Sequence, residues 1–160
     1  MTTAPAHETV IITDPTVPLV RIIREFDAPP EKVFRAHTEP ELVAQWLGPR
    51  RHRMRIDHYD CRTGGAYRYL LGSAGREFGF YGCFHEVRPA QLIVQTFTFE
   101  GLPDGVALGR LIFEDLGGGR TRLTSTSLVD SFEARDAFVA SGMQEGVREG
   151  NERLDELLAS

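Results

Sequence analysis

The stretch VASGMQEGVREGNERLDELLA, residues 139–159, carries its apolar side chains at a helical period. Val139, Met143, Val147, Leu154 and Leu157/Leu158 recur at steps of three, four or seven, with acids and arginines on the other side. The spacing predicts one amphipathic helix of roughly 25 residues closing the chain. Gly142, Gly146 and Gly150 recur every four residues and share one strip of it. Each glycine within a helix costs about 1 kcal/mol relative to alanine. A helix lying very close to a sheet, or forming the wall of a ligand site, would offset that cost.

Upstream of this helix the period is two. Met54, Ile56 and His58 alternate with Arg53, Arg55, Asp57 and Tyr59. Thr63-Gly64-Gly65 turns the chain into AYRYLL, and Ser73-Ala74-Gly75 turns it again into REFGFYGCFHEV. Pro89 introduces QLIVQTFTFE, Pro103-Asp104-Gly105 precedes VALGRLIFE, and the glycines at 117–119 lead into RTRLTSTSLV. These are about six strands with turn-like separations and no room for crossover helices, so they form an antiparallel meander.

LVRIIREF, residues 19–26, is a further strand, in which Val20, Ile22, Arg24 and Phe26 oppose Leu19, Arg21, Ile23 and Glu25. Asp27-Ala28-Pro29-Pro30 ends it and opens a short helix with Val33, Phe34 and His37 on one side. Thr38-Glu39-Pro40-Glu41 restarts a second short helix, which buries Leu42, Val43 and Trp46 and stops at Gly48-Pro49. Residues 1–18 form an N-terminal arm that adds at most one short strand at Val10-Ile11-Ile12, and residues 19–160 form one domain. The expected fold is α+β: a curved antiparallel sheet of six or seven strands around a long C-terminal helix, with two short helices after the first strand.

A twisted sheet is concave and a helix is a straight rod, so the two surfaces diverge at one end. Side chains fill the gap, or a pocket remains. Strand parity groups the candidates without saying which face is inside. Tyr67, Tyr69 and Leu71 stand together, as do Phe78, Phe80, Gly82 and Phe84, then Phe97 with Phe99, and Leu108 with Arg110 and Ile112. Bulky rings with isolated polar groups suit an aromatic-ligand pocket, and they equally suit a plain core. The candidate cavity residues are Trp46, His58, Tyr67, Tyr69, Phe80, Phe97, Phe99, Arg110, Met143 and Val147.

Composition narrows the function further. The formal charge of -5 gives no long-range attraction to nucleic acid or an anionic membrane, and no window approaches the apolar length of a membrane span. The run Arg50-Arg51-His52-Arg53-Met54-Arg55 is either a phosphate or partner patch or a solvated strand face. Cys61 and Cys83 are expected as free, mostly buried thiols, and neither they nor the histidines have metal-ligand spacing. The N-terminal residues lack the pattern of a signal peptide, so a cytoplasmic location is the default, with no cofactor. No nucleophile elbow, His-Glu-x-x-His or Cys-x-x-Cys pattern occurs.

The chain resembles bacterial relatives of the C-terminal domain of the Hsp90 ATPase activator, within the START/Bet v 1-like (SRPBCC) superfamily. The resemblance rests on FDAPPEKVFRAHTEPELVAQWLGP (26–49), YDCRTGGAYRY (59–69), FGFYGCFHEVRPAQLIVQTFTFE (78–100), GGGRTRLTSTSLV (117–129) and SGMQEGVREGNERLDELLA (141–159). It implies the helix-grip fold and a cavity between sheet and long helix. The superfamily includes carriers of lipids and other hydrophobic ligands, polyketide cyclases and aromatases, and ring-hydroxylase subunits. Where relatives often read Trp-Trp-Gly-Pro, this chain has Trp46-Leu47-Gly48-Pro49; where they often carry an aromatic near position 151, it has Gly150-Asn151.

The leading expectation is therefore a domain that binds a small hydrophobic or aromatic molecule without catalysis. Two alternatives stay open at this point. One is a cyclase-, aromatase- or hydrolase-like enzyme using a polar cavity residue such as His58, Arg68, Tyr69 or Arg110. The other is a protein-interaction module, with a homodimer possible, using the edge strand around LVRII or the arm.

Overall fold

Turns with glycines in the left-handed region, Gly64, Gly75 and Gly117 to Gly119 among them, fold the middle of the chain into a meander. The computed structural model describes residues 7–73 and 75–160. The first six residues of the expected arm, and Ala74 of the expected turn, lie outside the described residues.

The elements are β1 (Val10–Thr13), β2 (Leu19–Phe26), α1 (Pro30–Thr38), α2 (Pro40–Trp46), β3 (Arg53–Tyr59), β4 (Ala66–Ser73), β5 (Arg76–Arg88), β6 (Leu92–Phe99), β7 (Ala107–Gly117), β8 (Arg120–Leu128), α3 (Phe132–Ala140) and α4 (Met143–Ala159). One sheet of eight strands runs β1-β2-β8-β7-β6-β5-β4-β3, and every neighbouring pair is antiparallel. The count exceeds the expected six or seven because the arm contributes β1, which pairs Val10 with Ile23 and Thr13 with Val20. LVRIIREF is thus an interior strand, not the edge: β1 covers it.

Register shifts between Ile56 and His58, Phe84 and Glu86, and Asp115 and Gly117 bend the sheet. Gly82 lets β5 pass beneath a neighbour's side chain: a Cβ there would strike the Thr96 carbonyl oxygen and the Tyr67 ring. α1, α2 and α4 pack on the concave face, around a core that includes Phe26, Val33, Phe34, Tyr67, Phe84, Ile93, Phe113 and Leu154.

The C-terminal helix differs from expectation. It is broken at Ser141-Gly142, where Gly142 takes φ +88° and serves as the N-cap of α4. α3 is a separate nine-residue helix capped by Ser131, whose Oγ accepts from the Ala134 N–H at 3.0 Å. The buried Arg135 fastens α3 to the β1–β2 connection by donating to the carbonyls of Asp14 and Leu19. The glycine strip also has a different partner. A Cβ on Gly150 would stand 3.3 Å from the Trp46 carbonyl oxygen, and one on Gly146 3.5 Å from Pro49 Cδ. The glycines let α4 lie against the end of α2, not against the sheet or a ligand.

Candidate functional site

The concave face carries a file of nearly parallel rings drawn from three strands. Tyr67 and Tyr69 of β4 stand 5.8 Å apart between centroids at 16°, Tyr69 and Phe80 of β5 5.6 Å at 30°, and Phe80 and Phe97 of β6 5.4 Å at 22°. Phe99 joins beside Phe80 at 5.3 Å. Cross-strand register explains the grouping, since Tyr69 faces Phe80 and Phe80 faces Phe99.

Burial changes along this face. At one end Phe26, Phe84, Tyr67, Ile93 and Phe113 are sealed under α1 and the C-terminal half of α4. Further along the same strands Ile22, Phe80, Gln95, Phe97, Leu111 and Ser125 retain partial exposure. Helix α4 shows the matching change. Leu154 and Leu158 belong to the core, whereas Met143 and Val147, earlier on the same side, are half-buried and neither belong to it nor pack against it. The apolar side of α4 is thus sealed at its C-terminal end and only half-covered at its N-terminal end.

The ten residues expected around a cavity divide accordingly. Tyr67, Tyr69, Phe80, Phe97 and Phe99 share the concave face, and Met143 and Val147 lie half-buried on the N-terminal part of α4. Trp46 stands in the sealed half, where its Nε1 donates to the Ala36 carbonyl at 2.8 Å and its ring meets His37; it anchors α2. His58 does not face the concave side. The register shift between Ile56 and His58 breaks the alternation, turning His58 out against Asp57 and Tyr59 in, where the Tyr59 hydroxyl donates to the His37 carbonyl. Arg110 shares a face with Leu108 and Ile112 as parity requires, but that face is the convex one, opposite Leu111 and Phe113.

Two polar side chains are buried here: Arg24, which the sequence reading passed over, and His37, which it placed on one side of the first short helix. Arg24, 3% exposed, lies on the concave face beneath α4, with its guanidinium over the Phe26 ring. Its Nη1 and Nη2 donate to the two carboxylate oxygens of Asp155, and Nη1 also donates to the Glu25 carbonyl. A lone arginine in the otherwise apolar parity of Val20, Ile22 and Phe26 was the available signal. His37, buried beneath Trp46 and Phe113, donates from Nδ1 to the Val33 carbonyl at 2.8 Å. Burial pulls its pKa down to about 4, so its ring is neutral at physiological pH.

Two cavities among the described residues lie away from the rings. One of about 230 Å³ is lined by His7, Glu8, Thr9, Arg24, Arg148 and Glu152 at the seam of arm, β2 and α4. The other, about 350 Å³, lies by Met54 and Gly72 at the far edge of the sheet. None of the ten expected residues lines either one.

Three of the four arginines of the basic run are paired within the chain. Arg50 pairs with Glu156 and Glu152, Arg51 with Glu145, and Arg55 with Glu77, which leaves no patch of unpaired charge at these three arginines. Both cysteines are free. Cys83 is exposed, because its side of β5 is convex, while burial pushes the half-buried Cys61 thiol up to about 12. Among the described residues no three His, Cys, Asp or Glu side chains converge as a metal ion requires, and no helix is long and apolar enough to cross a membrane.

A bent antiparallel sheet gripping a C-terminal helix, with two short helices inserted after the first long strand, defines a helix-grip protein of the START/Bet v 1-like superfamily. Within it, residues 27–159 match the model of the activator of Hsp90 ATPase homolog 1-like family, and the chain belongs to that family. Solved structures share the fold. The crystal structure of protein Ms6760 from Mycobacterium smegmatis superposes with a TM-score of 0.85 at 23% identity, over 94% of this chain and 97% of that one. A crystal structure from Rhodobacter sphaeroides gives 0.84 at 28% identity over the same shares. A solution structure from Arthrobacter aurescens gives 0.85 at 25% identity, over 94% of this chain and 91% of that one. No curated protein matches the sequence.

Proposed function

We propose that this chain holds a small apolar, ring-containing molecule between α4 and the sheet, and does not transform it. One observation carries the proposal. On α4, Leu154 and Leu158 are packed into the core, yet Met143 and Val147 lie outside it and half-buried, while Phe80 and Phe97 on the concave face are still partly exposed. Apolar side chains left half-covered inside a concave face gain from an apolar guest. The family and fold support a binding role. The strand residues facing this space bring an amide and hydroxyls at Gln95, Ser125 and Tyr69, and no acid–base pair lies among them. Gln95 is engaged with the Tyr67 hydroxyl. The buried Arg24 is engaged with Asp155.

The test is a titration with aromatic and fatty-acyl compounds followed by protein NMR. Shifts are expected at Phe80, Phe97, Leu111 and Val147, and Phe97→Ala should weaken binding. Shifts confined to the convex residues Ile112 and Leu128, or none with any compound, would overturn the proposal.

A further inference from the structure

The two edges of the sheet are built differently. Along β3, Arg53, Arg55, Asp57 and His58 set charged and polar side chains, and the register shift between Ile56 and His58 interrupts the ladder. Charge and irregularity of this kind keep foreign strands off a sheet edge. The β1 edge has neither. Thr9-Val10-Ile11-Ile12-Thr13 is a run of β-branched residues without a charge, a proline or a register shift. β2 pairs with one side of β1, and among the described residues no strand pairs with the other. The backbone N–H and C=O groups of such an edge are a template for one more strand. Ile12 is 41% exposed there and gains cover from whatever is added.

We infer that the added strand is the β1 of a second copy of this chain, joining two sheets edge to edge about a two-fold axis. Three features select that occupant. The segment is nearly a palindrome: with Ile11 opposite itself, Val10 meets Ile12 and Thr9 meets Thr13, so every cross-strand pair is β-branched. A two-fold axis normal to the sheet keeps convex beside convex. This register obeys it, because Val10 and Ile12 share the side of Ile23 and Arg21. The defended β3 edge denies a head-to-tail contact, so the pairing closes as a dimer and does not run on as a filament. Thr9–Thr13 supplies far fewer residues than the roughly 20–30 a side of a standard interface, so the dimer is weak and reversible. Glu8 and Asp14 come opposite each other at both ends of the paired segment, so added salt tightens it.

The test is sedimentation equilibrium of the full chain at up to about 1 mM, with a dimer expected at a dissociation constant on the order of 100 μM. That constant should fall at least about twofold as NaCl rises from about 0.05 M to about 0.5 M. Ile12→Glu sets a further acid between Glu8 and Asp14 and should weaken the dimer at least about tenfold. The new carboxylate faces Arg21 of its own chain, which keeps β1 in place. Ile112→Glu, on the exposed convex face of β7, should leave dimerisation unchanged. A dimer that survives Ile12→Glu, that Ile112→Glu weakens equally, or that salt loosens would place the contact elsewhere and overturn the inference. A chain that stays monomeric at every concentration would overturn it too, leaving the β1 edge to a strand from another protein or to none.

Discussion

The imidazole of His37 stands edge-on to the indole of Trp46, with ring centroids 4.8 Å apart and planes at 62°. Phe113 stands 5.4 Å from it, and among the described residues the ring's hydrogen-bond partner is the Val33 carbonyl. A proton added to this ring would sit among aromatic groups without a carboxylate.

That arrangement sets an acid response. The unfolded chain takes up this proton near pH 6.5, whereas the folded chain resists it down to about 4, so stability is complete above the first value and falls as pH drops between them. Between pH 7 and 5 the loss should be about 2 kcal/mol. The carboxylates Asp14, Glu77, Glu100 and Glu156, held below their ordinary range by hydrogen bonds, give up their own contribution mainly below pH 5. Urea midpoints across this range should slope for the unaltered protein and flatten for His37→Leu; parallel curves would contradict the account.

Arg24 and Asp155 should respond unequally to substitution. Asp155→Ala strips a buried guanidinium of its counter-charge, at a cost of roughly 2–4 kcal/mol. Arg24→Met keeps the packing over Phe26 and leaves only a carboxylate that is 29% exposed, which water can serve. Denaturant titrations should rank Asp155→Ala as clearly the more damaging, and the reverse order would show that the pair is not what holds α4 at that point.

The α4 glycines offer a graded test. Gly146→Ala meets Pro49 at an ordinary contact distance of 3.5 Å, so the gain in helix propensity should prevail, at about 0.5–1 kcal/mol. Gly150→Ala meets the Trp46 carbonyl at 3.3 Å, which the short helix cannot easily yield, so it should fall below Gly146→Ala. Gly142→Ala, forced to φ +88°, should destabilise by about 1 kcal/mol. Three melting temperatures decide the order.

Tyr67→Phe removes a hydroxyl bonded to both Thr96 and Gln95 and should cost about 1 kcal/mol. Tyr69→Phe removes one that bonds to no described residue, so its unfolding midpoint should match that of the unaltered protein. Equal losses would mean that the Tyr69 hydroxyl has a structural role.

The architecture was legible where local chemistry repeats. Turn glycines and prolines separated the strands of the meander, and the period of Met143, Val147, Leu154 and Leu158 marked the last helix. The break at Ser141-Gly142 was not legible, because Gly142 continues a four-residue glycine series that looks like a packing strip. Parity grouped the rings correctly yet could not choose a face: on β6, Val94 of the convex side is nearly as buried as Ile93 of the concave side. The outward turn of His58 depends on an irregularity at residues 56–58 that alternation conceals. The Arg24–Asp155 pair joins residues 131 positions apart, a distance over which no spacing rule operates.

Helix α4, which seals the core through Leu154 and Leu158, follows all eight strands in order of synthesis. While the ribosome is still making it, the sheet stands with Phe26, Tyr67, Phe84 and Phe113 lacking their C-terminal cover, a sticky surface on a nascent chain. Folding of this domain is accordingly committed late, by its last two turns, and a chain stalled or truncated before Leu154 should be a substrate for chaperones instead of a smaller version of the same protein.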